Sequence, residues 1–278
     1  MPRPGSVDVL SAPPRTAPRP AALPVMPRTS ETHASPLPLR ELFAVRPGEV
    51  EAAACGSREL APATDWNALE PRSFWYRAGR PLLDLLLLVA TLPLALPLVA
   101  CVALASAIAF RSWRRIFFVQ PRIGYRGRSF SLVKFRTMSE PAGTVFEAWS
   151  NGDRARVTPF GRFLRSTHLD ELPQLYNVLR GEMSFIGPRP EMVEVESWAA
   201  SELPGFSERL AIKPGITGLA QVTQGYTPRD VEAYRRKLAI NRQYLASLSF
   251  ASDLSILART ALWMLRGRGW KWRRAGGH

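Results

Sequence analysis

The chain has 278 residues, a length that suits one or two domains, and its 46% apolar and 10% aromatic content supports a packed core and excludes wholesale disorder. Two distant cysteines, Cys55 and Cys101, and three scattered histidines, His33, His168 and His278, exclude a disulfide scaffold, a Cys-rich zinc site and a His-based metal centre. The net charge is +14, of which residues 111–278 carry +13, so that part of the chain expects an anionic partner: nucleic acid, anionic lipid or a phosphorylated substrate. The basic residues are 33 Arg and four Lys, which draws notice to Lys134 and Lys213, both inside the motifs described below.

Residues 1–71 read as a disordered Pro/Arg-rich arm, with 13 prolines that leave no helical or strand period. No apolar segment of signal-peptide type follows its first arginines. Leu82 to Phe110 are 29 residues with a single charge, Asp84. As one helix they extend about 43 Å, against a hydrocarbon core of about 30 Å. Pro93 and Pro97 fall in the middle and predict a break or kink. Arg72, Arg77 and Arg80 precede the run, and Arg111, Arg114 and Arg115 follow it. A simple span would leave one basic cluster on the wrong side, whereas a helix that enters and leaves by one face satisfies both. A tilted span with a proline kink is the other topology these features allow. Residues 72–115 are therefore read as a membrane-anchoring unit with basic flanks, and 116–278 as a second unit.

Beyond Arg115 the pattern changes. Residues 116–120 and 130–138 alternate as strands around the turn Gly124-Tyr125-Arg126-Gly127, and a period of two puts Lys134 and Arg136 on one face. Residues 139–157 read as a loop. Helices are expected at about 159–164, at 169–180 with Gly181 as the stop, and at 191–203, 230–248 and 253–265. The fold class is α+β, mostly helical with a small β-hairpin.

The richest segment for chemistry is Thr167-His168-Leu169-Asp170-Glu171-Leu172-Pro173-Gln174-Leu175. Thr167 with Asp170 fits a capping box, and two acids suit the first turn of a helix. The surroundings add a second meaning. Arg162 and Arg165 precede the acids, and Arg189 and Lys213 stand in the rigid turns Gly187-Pro188-Arg189-Pro190 and Lys213-Pro214-Gly215-Ile216-Thr217-Gly218. Fixed cations beside a helix start suit phosphate. The paired carboxylates could hold Mg²⁺ together with substrate phosphates, or one of them could attack phosphorus. There is no G-x-x-x-x-G-K-S/T loop, no G-x-G-x-x-G, no H-E-x-x-H and no C-x-x-C. Nor is there a basic–aromatic RNA motif, so nucleic acid is not an expected partner.

The runs Phe117-Phe118-Val119-Gln120-Pro121-Arg122-Ile123-Gly124 and Lys134-Phe135-Arg136-Thr137-Met138 resemble the bacterial sugar transferase family. So do Gly161-Arg162-Phe163-Leu164-Arg165, the stretch from Leu169 to Ser184, Gly187-Pro188-Arg189-Pro190 and the stretch from Lys213 to Val222. The resemblance covers about residues 72–270. It implies a monotopic polyprenyl-phosphate phosphoglycosyl transferase that initiates exopolysaccharide, capsule or O-antigen synthesis. In that family the Asp matching Asp170 attacks the β-phosphate of a UDP-sugar and expels UMP. Undecaprenyl phosphate then takes the sugar phosphate, with Mg²⁺ required. Glu171 is implied as acid/base or metal neighbour, making Asp170 and Glu171 the catalytic and metal residues. Lys134, Arg136, Arg162, Arg165, Arg189 and Lys213 are the cations assigned to phosphate and substrate. After Val222 the chain has Thr223-Gln224-Gly225-Tyr226 where the family has an Asn-Gly turn often followed by Arg, and Arg229 is the stand-in. Asp253 and Gln221 are assigned to structural support. Pro97, with Pro93, is the hinge of a re-entrant helix that places the catalytic domain on the cytoplasmic face of the bacterial inner membrane. UDP-sugar, undecaprenyl phosphate and membrane lipids are the expected partners. A homo-oligomer or an assembly with downstream glycosyltransferases stays open. The competing expectation is a non-catalytic, membrane-anchored scaffold of a polysaccharide assembly complex.

Overall fold

The computed structural model of the chain describes residues 65–139, 156–225 and 227–266. Residues 1–64 of the expected arm, 140–155 of the expected loop, Tyr226, and the basic tail from residue 267 lie outside the described residues. The end of the expected arm is folded. Asp65 caps a four-residue helix, α1 (Trp66–Leu69), by accepting from the amides of Asn67 and Ala68. Glu70 then accepts from Tyr125 Oη at 2.8 Å and pairs with Arg126, which ties this segment to the hairpin turn.

A π-helical turn (Trp75–Gly79) leads into α2 (Arg80–Ala109), whose 30 residues extend about 45 Å. The stretch Trp75–Ala109 is long and apolar enough to cross a membrane, with a mean hydropathy of 2.6 over its most apolar 18 residues. Leu82, Leu85, Leu86, Val89, Leu94 and Leu96 are all exposed along it. Helical backbone continues through Pro93 and Pro97, so the expected proline break does not interrupt the element. Each proline still deletes one i→i−4 bond. Just before them, Thr91 Oγ1 donates to the Leu87 carbonyl at 2.7 Å.

Both ends of α2 dock on the domain that follows. At the first end, Leu83 packs with Ile186, Tyr244 and Ile256, and Arg80 and Asp84 reach the backbone and side chains around Ser184. At the other end, Val102 and Ala107 enter a core with Ile116, Phe135 and Leu164.

The expected hairpin forms as β1 (Phe117–Ile123) and β2 (Ser129–Phe135), antiparallel with Phe118 opposite Lys134. Arg126 and Gly127 take positive φ in the turn between them, which closes through Gly127 N to Gly124 O and Arg128 N to Tyr125 O. Strand alternation buries Val133 and Phe135 and leaves Lys134 and Arg136 half-buried on the other face, as the period of two requires. Two short pairings were not expected from the sequence. β4 (Glu191–Met192) adds to β1, and β3 (Ser184–Ile186) pairs in parallel with β5 (Gly215–Thr217). These runs of two and three residues are too short to show a period.

The helices are α3 (Pro159–Thr167), α4 (Gln174–Leu179), α5 (Val193–Glu202), α6 (Leu219–Thr223), α7 (Val231–Ala246) and α8 (Phe250–Leu265). Asp230 caps α7, and Ser249 with Ser252 forms a capping box on α8. α5 and α7 close a core through Val195, Ala199, Phe206, Tyr234 and Leu238. β2 and α4 close another through Phe130, Leu132, Val178 and Met183.

Candidate active site

The two acids do not open a helix. α3 ends at Thr167, whose hydroxyl donates to the Phe163 and Leu164 carbonyls and so caps nothing ahead of it. His168 follows at φ 57°, ψ 15°, a left-handed position, and turns the chain sharply. Asp170 and Glu171 then lie in a 3₁₀ turn (Leu169–Glu171). Pro173 explains the change from the expected continuous helix. It has no N–H for the Leu169 carbonyl, which accepts instead from Leu172 N at 3.3 Å. Gly181, at φ 72°, ends the next segment as expected.

Asn177 on α4 holds this unit against the hairpin. It is fully buried. Its Oδ1 accepts from Val133 N at 3.1 Å, and its Nδ2 donates to Ser131 O and Glu182 Oε2. One amide side chain thus covers the outer edge of β2 as a neighbouring strand would. That contact sets the acids beside Lys134.

Asp170 is buried at 8% exposure, and its carboxylate accepts no hydrogen bond among the described residues. Burial pushes its pKa up to about 6, reinforced by the adjacent Glu171 charge and opposed by Lys134, Arg165 and Arg189. Glu171 has the opposite balance. Burial pushes it up, but Arg189 overcomes that by charge and by a hydrogen bond from Nη2 at 2.8 Å, so Glu171 is held below the usual carboxylate range. Lys134 lies 5.0 Å over the Phe118 ring. Burial, with Arg122 and Arg165 nearby, lowers it to about 8. Arg165 is oriented by Nε donating to Thr137 Oγ1 at 2.9 Å.

The structure therefore gathers Asp170, Glu171, Lys134, Arg165 and Arg189. The other cations singled out in the sequence lie elsewhere around this centre. Arg136 is half-buried after β2 and its amide bonds the Ile116 carbonyl. Arg162 is on the exposed side of α3. Arg229 is exposed and stacks over Trp198 at 5.7 Å. Lys213 stands near Gly181, and its charge acts on Asp84 of α2. Gln221 donates to the Ile216 carbonyl at 3.3 Å and packs against Gly218. Asp253 does not cap its helix. It is fully buried and accepts from Trp75 Nε1 at 2.9 Å and Tyr244 Oη at 2.7 Å, with Arg80 Nε at 3.5 Å. It therefore fastens the start of the apolar helix to α7 and α8.

The Arg189 loop rests on a close backbone contact. A Cβ at Gly187 would lie 2.5 Å from the Lys213 carbonyl oxygen, and one at Gly215 would collide with the Gly187 amide. Gly187 N donates to Thr217 O at 2.8 Å, and Gly215 N donates to Pro188 O at 3.0 Å. The two Gly/Pro motifs noted in the sequence are thus one packed unit. The sequence did not single out a buried set behind it, Glu191, Glu196, Arg209 and Lys237, which the half-buried Arg122 adjoins. Only pairing across distant segments reveals it.

No group of three or more His, Cys, Asp or Glu suited to a metal occurs among the described residues. Asp170 and Glu171 still fit Mg²⁺, which takes one or two carboxylates and completes its shell with substrate phosphate oxygens and water. The uncommitted Asp170 carboxylate is the donor such an ion needs.

The chain is similar to named transferases. A protein of Aeromonas hydrophila named UDP-N-acetylgalactosamine-undecaprenyl-phosphate N-acetylgalactosaminephosphotransferase is 38% identical over 190 residues, covering 67% of this chain and 44% of its own length. The chain thus spans under half of that relative. A UDP-glucose:undecaprenyl-phosphate glucose-1-phosphate transferase of Caulobacter vibrioides is 37% identical over 208 residues, 73% of this chain and 77% of its own. A putative undecaprenyl-phosphate N-acetylgalactosaminyl 1-phosphate transferase of Bacillus subtilis is 37% identical over 142 residues, covering 51% of this chain and 78% of its own length. The profile described as "Bacterial sugar transferase" matches residues 75–267, which takes in α2, both acids and the Arg189 loop, and the chain belongs to that family.

Proposed function

We propose that the protein is a membrane-anchored phosphoglycosyl transferase that moves a sugar 1-phosphate from a UDP-sugar to undecaprenyl phosphate. What carries this reading is Asp170: a buried carboxylate without a hydrogen-bond donor among the described residues, set between Lys134, Arg165 and Arg189 in a member of this family. A carboxylate so placed is a nucleophile rather than half of a settled ion pair.

In the first step an Asp170 oxygen attacks the β-phosphorus of the donor. The P–O bond to the α-phosphate breaks, UMP leaves with that bridging oxygen, and an aspartyl phosphosugar remains. In the second step an oxygen of the lipid phosphate attacks the same phosphorus. The acyl phosphate bond breaks, Asp170 is regenerated as a carboxylate, and a polyprenyl diphosphate sugar forms. Lys134, Arg165 and Arg189 hold the diphosphate oxygens and stabilise the charge that develops on them. Arg189 keeps Glu171 ionised, so Glu171 contributes charge and orientation rather than a proton. When bound with substrate by Asp170 and Glu171, Mg²⁺ supplies further charge neutralisation at the diphosphate.

Both substrates meet at a membrane surface, and α2 suits that geometry. Its two ends dock on one domain, which favours entry and exit through the same, cytoplasmic face over a full span. The bare leucines between those ends are the part placed in lipid.

The test is UMP release by purified protein in nanodiscs with undecaprenyl phosphate and a panel of UDP-sugars. Turnover with one donor, loss of it on chelation of divalent cations, and its abolition by Asp170→Asn are expected. Full activity of Asp170→Asn overturns the covalent route. Absence of turnover with every donor favours the non-catalytic scaffold.

A further inference from the structure

Arg189 cannot act unless its backbone is fixed, and the structure holds three consecutive carbonyls of its loop from three different elements. Pro188 O accepts from Gly215 N of β5 at 3.0 Å. Arg189 O accepts from Arg209 Nη1 at 3.1 Å. Pro190 O accepts from Arg122 Nη1 of β1 at 3.1 Å. The next residue, Glu191, pairs with Lys237 of α7.

Arg209 is the unusual member. It is 2% exposed and lies in the 3₁₀ segment Phe206–Ala211, some twenty residues from the loop it touches. Its other terminal nitrogen pairs with Glu196 of α5, which is fully buried and accepts a second bond from Ser207 Oγ at 3.0 Å. Phe206 stacks beneath the guanidinium at 4.6 Å. A buried ion pair is a poor source of stability, because the cost of desolvating both charges offsets their attraction. Apolar residues of like volume would close this core between α5 and α7 at less cost. The fork geometry of Arg, with one arm on a carboxylate and the other on the Arg189 carbonyl, is what an apolar pair cannot supply.

We infer that the Arg209–Glu196 pair is a positioning device for Arg189, anchoring the loop backbone so that the Arg189 side chain stays directed at Glu171 and the donor diphosphate. The inference rests on the reaction proposed above. Neither residue touches substrate. Their effect passes through the carbonyl of residue 189.

Arg209→Lys tests this. It keeps a cation for Glu196, but a single ammonium cannot also reach the Arg189 carbonyl. Two readouts are paired in full-length protein in nanodiscs: UMP-release kinetics, and amide hydrogen exchange at Gly187, Arg189 and Glu191. The expected result is a fall in kcat/KM of tenfold or more. Exchange at those amides should rise by a similar factor, while α7 and the β1–β2 hairpin keep wild-type protection. Glu196→Gln, which leaves Arg209 without its charged partner, should change both readouts in the same direction and by less. Wild-type kinetics in Arg209→Lys overturn the inference. So does a loss of turnover with the loop as protected as before. Protection lost across α7 and the hairpin in both variants also overturns it, because the pair then only supports the core. Failure of the underlying reaction reads differently: wild-type protein that releases no UMP, or Arg189→Ala that turns over normally, sinks the proposed function while the exchange measurement still reports on the loop.

Discussion

At the scale of single residues, the centre is tuned by two shifted groups with opposite needs. In the proposed reaction Asp170 attacks as a carboxylate that burial pushes up to about 6, whereas Lys134 holds phosphate as a cation that burial lowers to about 8. The pH dependence of kcat/KM should therefore rise through about 6 and fall through about 8. Lys134→Arg keeps the positive charge at all accessible pH and is expected to remove the upper limb while lowering the maximum. An upper limb that persists in Lys134→Arg assigns it to another group. Stability should respond as well. The folded state holds the Asp170 proton more tightly than the unfolded chain, so stability falls as pH rises from the ordinary carboxylate range near 4 to about 6. Asp170→Asn removes that penalty and should raise the melting temperature at pH 7 while it abolishes turnover. A lower melting temperature would contradict the burial penalty assigned to this carboxylate. The acids and the Arg189 loop were legible in the sequence because adjacent carboxylates and Pro-flanked cations are rare enough to stand out. Arg209, Glu196 and Asn177 were not, because an Arg, a Glu or an Asn in a helical stretch looks the same whether it faces solvent or a buried partner.

Among the elements, the short ones decide the geometry. The sequence pattern supports one helix from 169 to 180, and the structure divides it into a 3₁₀ turn and α4 because Pro173 lacks a donor for the Leu169 carbonyl. That division matters, since a 3₁₀ turn places successive side chains differently from an α-helix. The hairpin and the longer helices were legible because their alternation and caps are local. β3, β4 and β5 were not, because each exists only through a partner far along the chain. Asn177 shows how much one side chain can do between elements. Asn177→Ala leaves Val133 N and Ser131 O of the β2 edge without their bonds and takes a donor from Glu182. The expected cost is about 2–4 kcal/mol, from two or more polar groups left buried and unpaired. Thermal or denaturant unfolding in detergent measures it, and a change under about 0.5 kcal/mol would mean that water replaces the side chain without loss.

For the whole molecule, the central relation is between α2 and the domain it serves. An apolar helix of this length reads as a span from composition alone. The basic flanks allow a return to the same face or a kinked span, and both ends of the helix pack on the domain that follows. The matching measurement uses a chain with Cys55 and Cys101 replaced by Ser and single cysteines placed at Ser73 and Ser112. Both should react with an impermeant maleimide from the cytoplasmic side of inverted vesicles and resist it in intact cells. Labelling of one from each side would establish a span and leave the second docked end unexplained.

Arg80 and Asp84 give that attachment a further meaning. Asp84 accepts from the Ser184 hydroxyl and the Phe185 amide, both at 2.9 Å, and Arg80 binds Ser184 Oγ and the Ile186 carbonyl. These contacts lie on β3, immediately ahead of the Arg189 loop. The hydrophobic segment is therefore no detachable tether. A fragment starting at Ser112 would strip β3 of two charged ligands, leave Asp253 with Tyr244 as its remaining hydrogen-bond donor, and bare the apolar side of Ile186 and Ile256. Such a fragment should aggregate or stay silent toward even a short, water-soluble acceptor. A chimera carrying an unrelated apolar helix should recover membrane binding without turnover unless Arg and Asp are restored at the positions of Arg80 and Asp84.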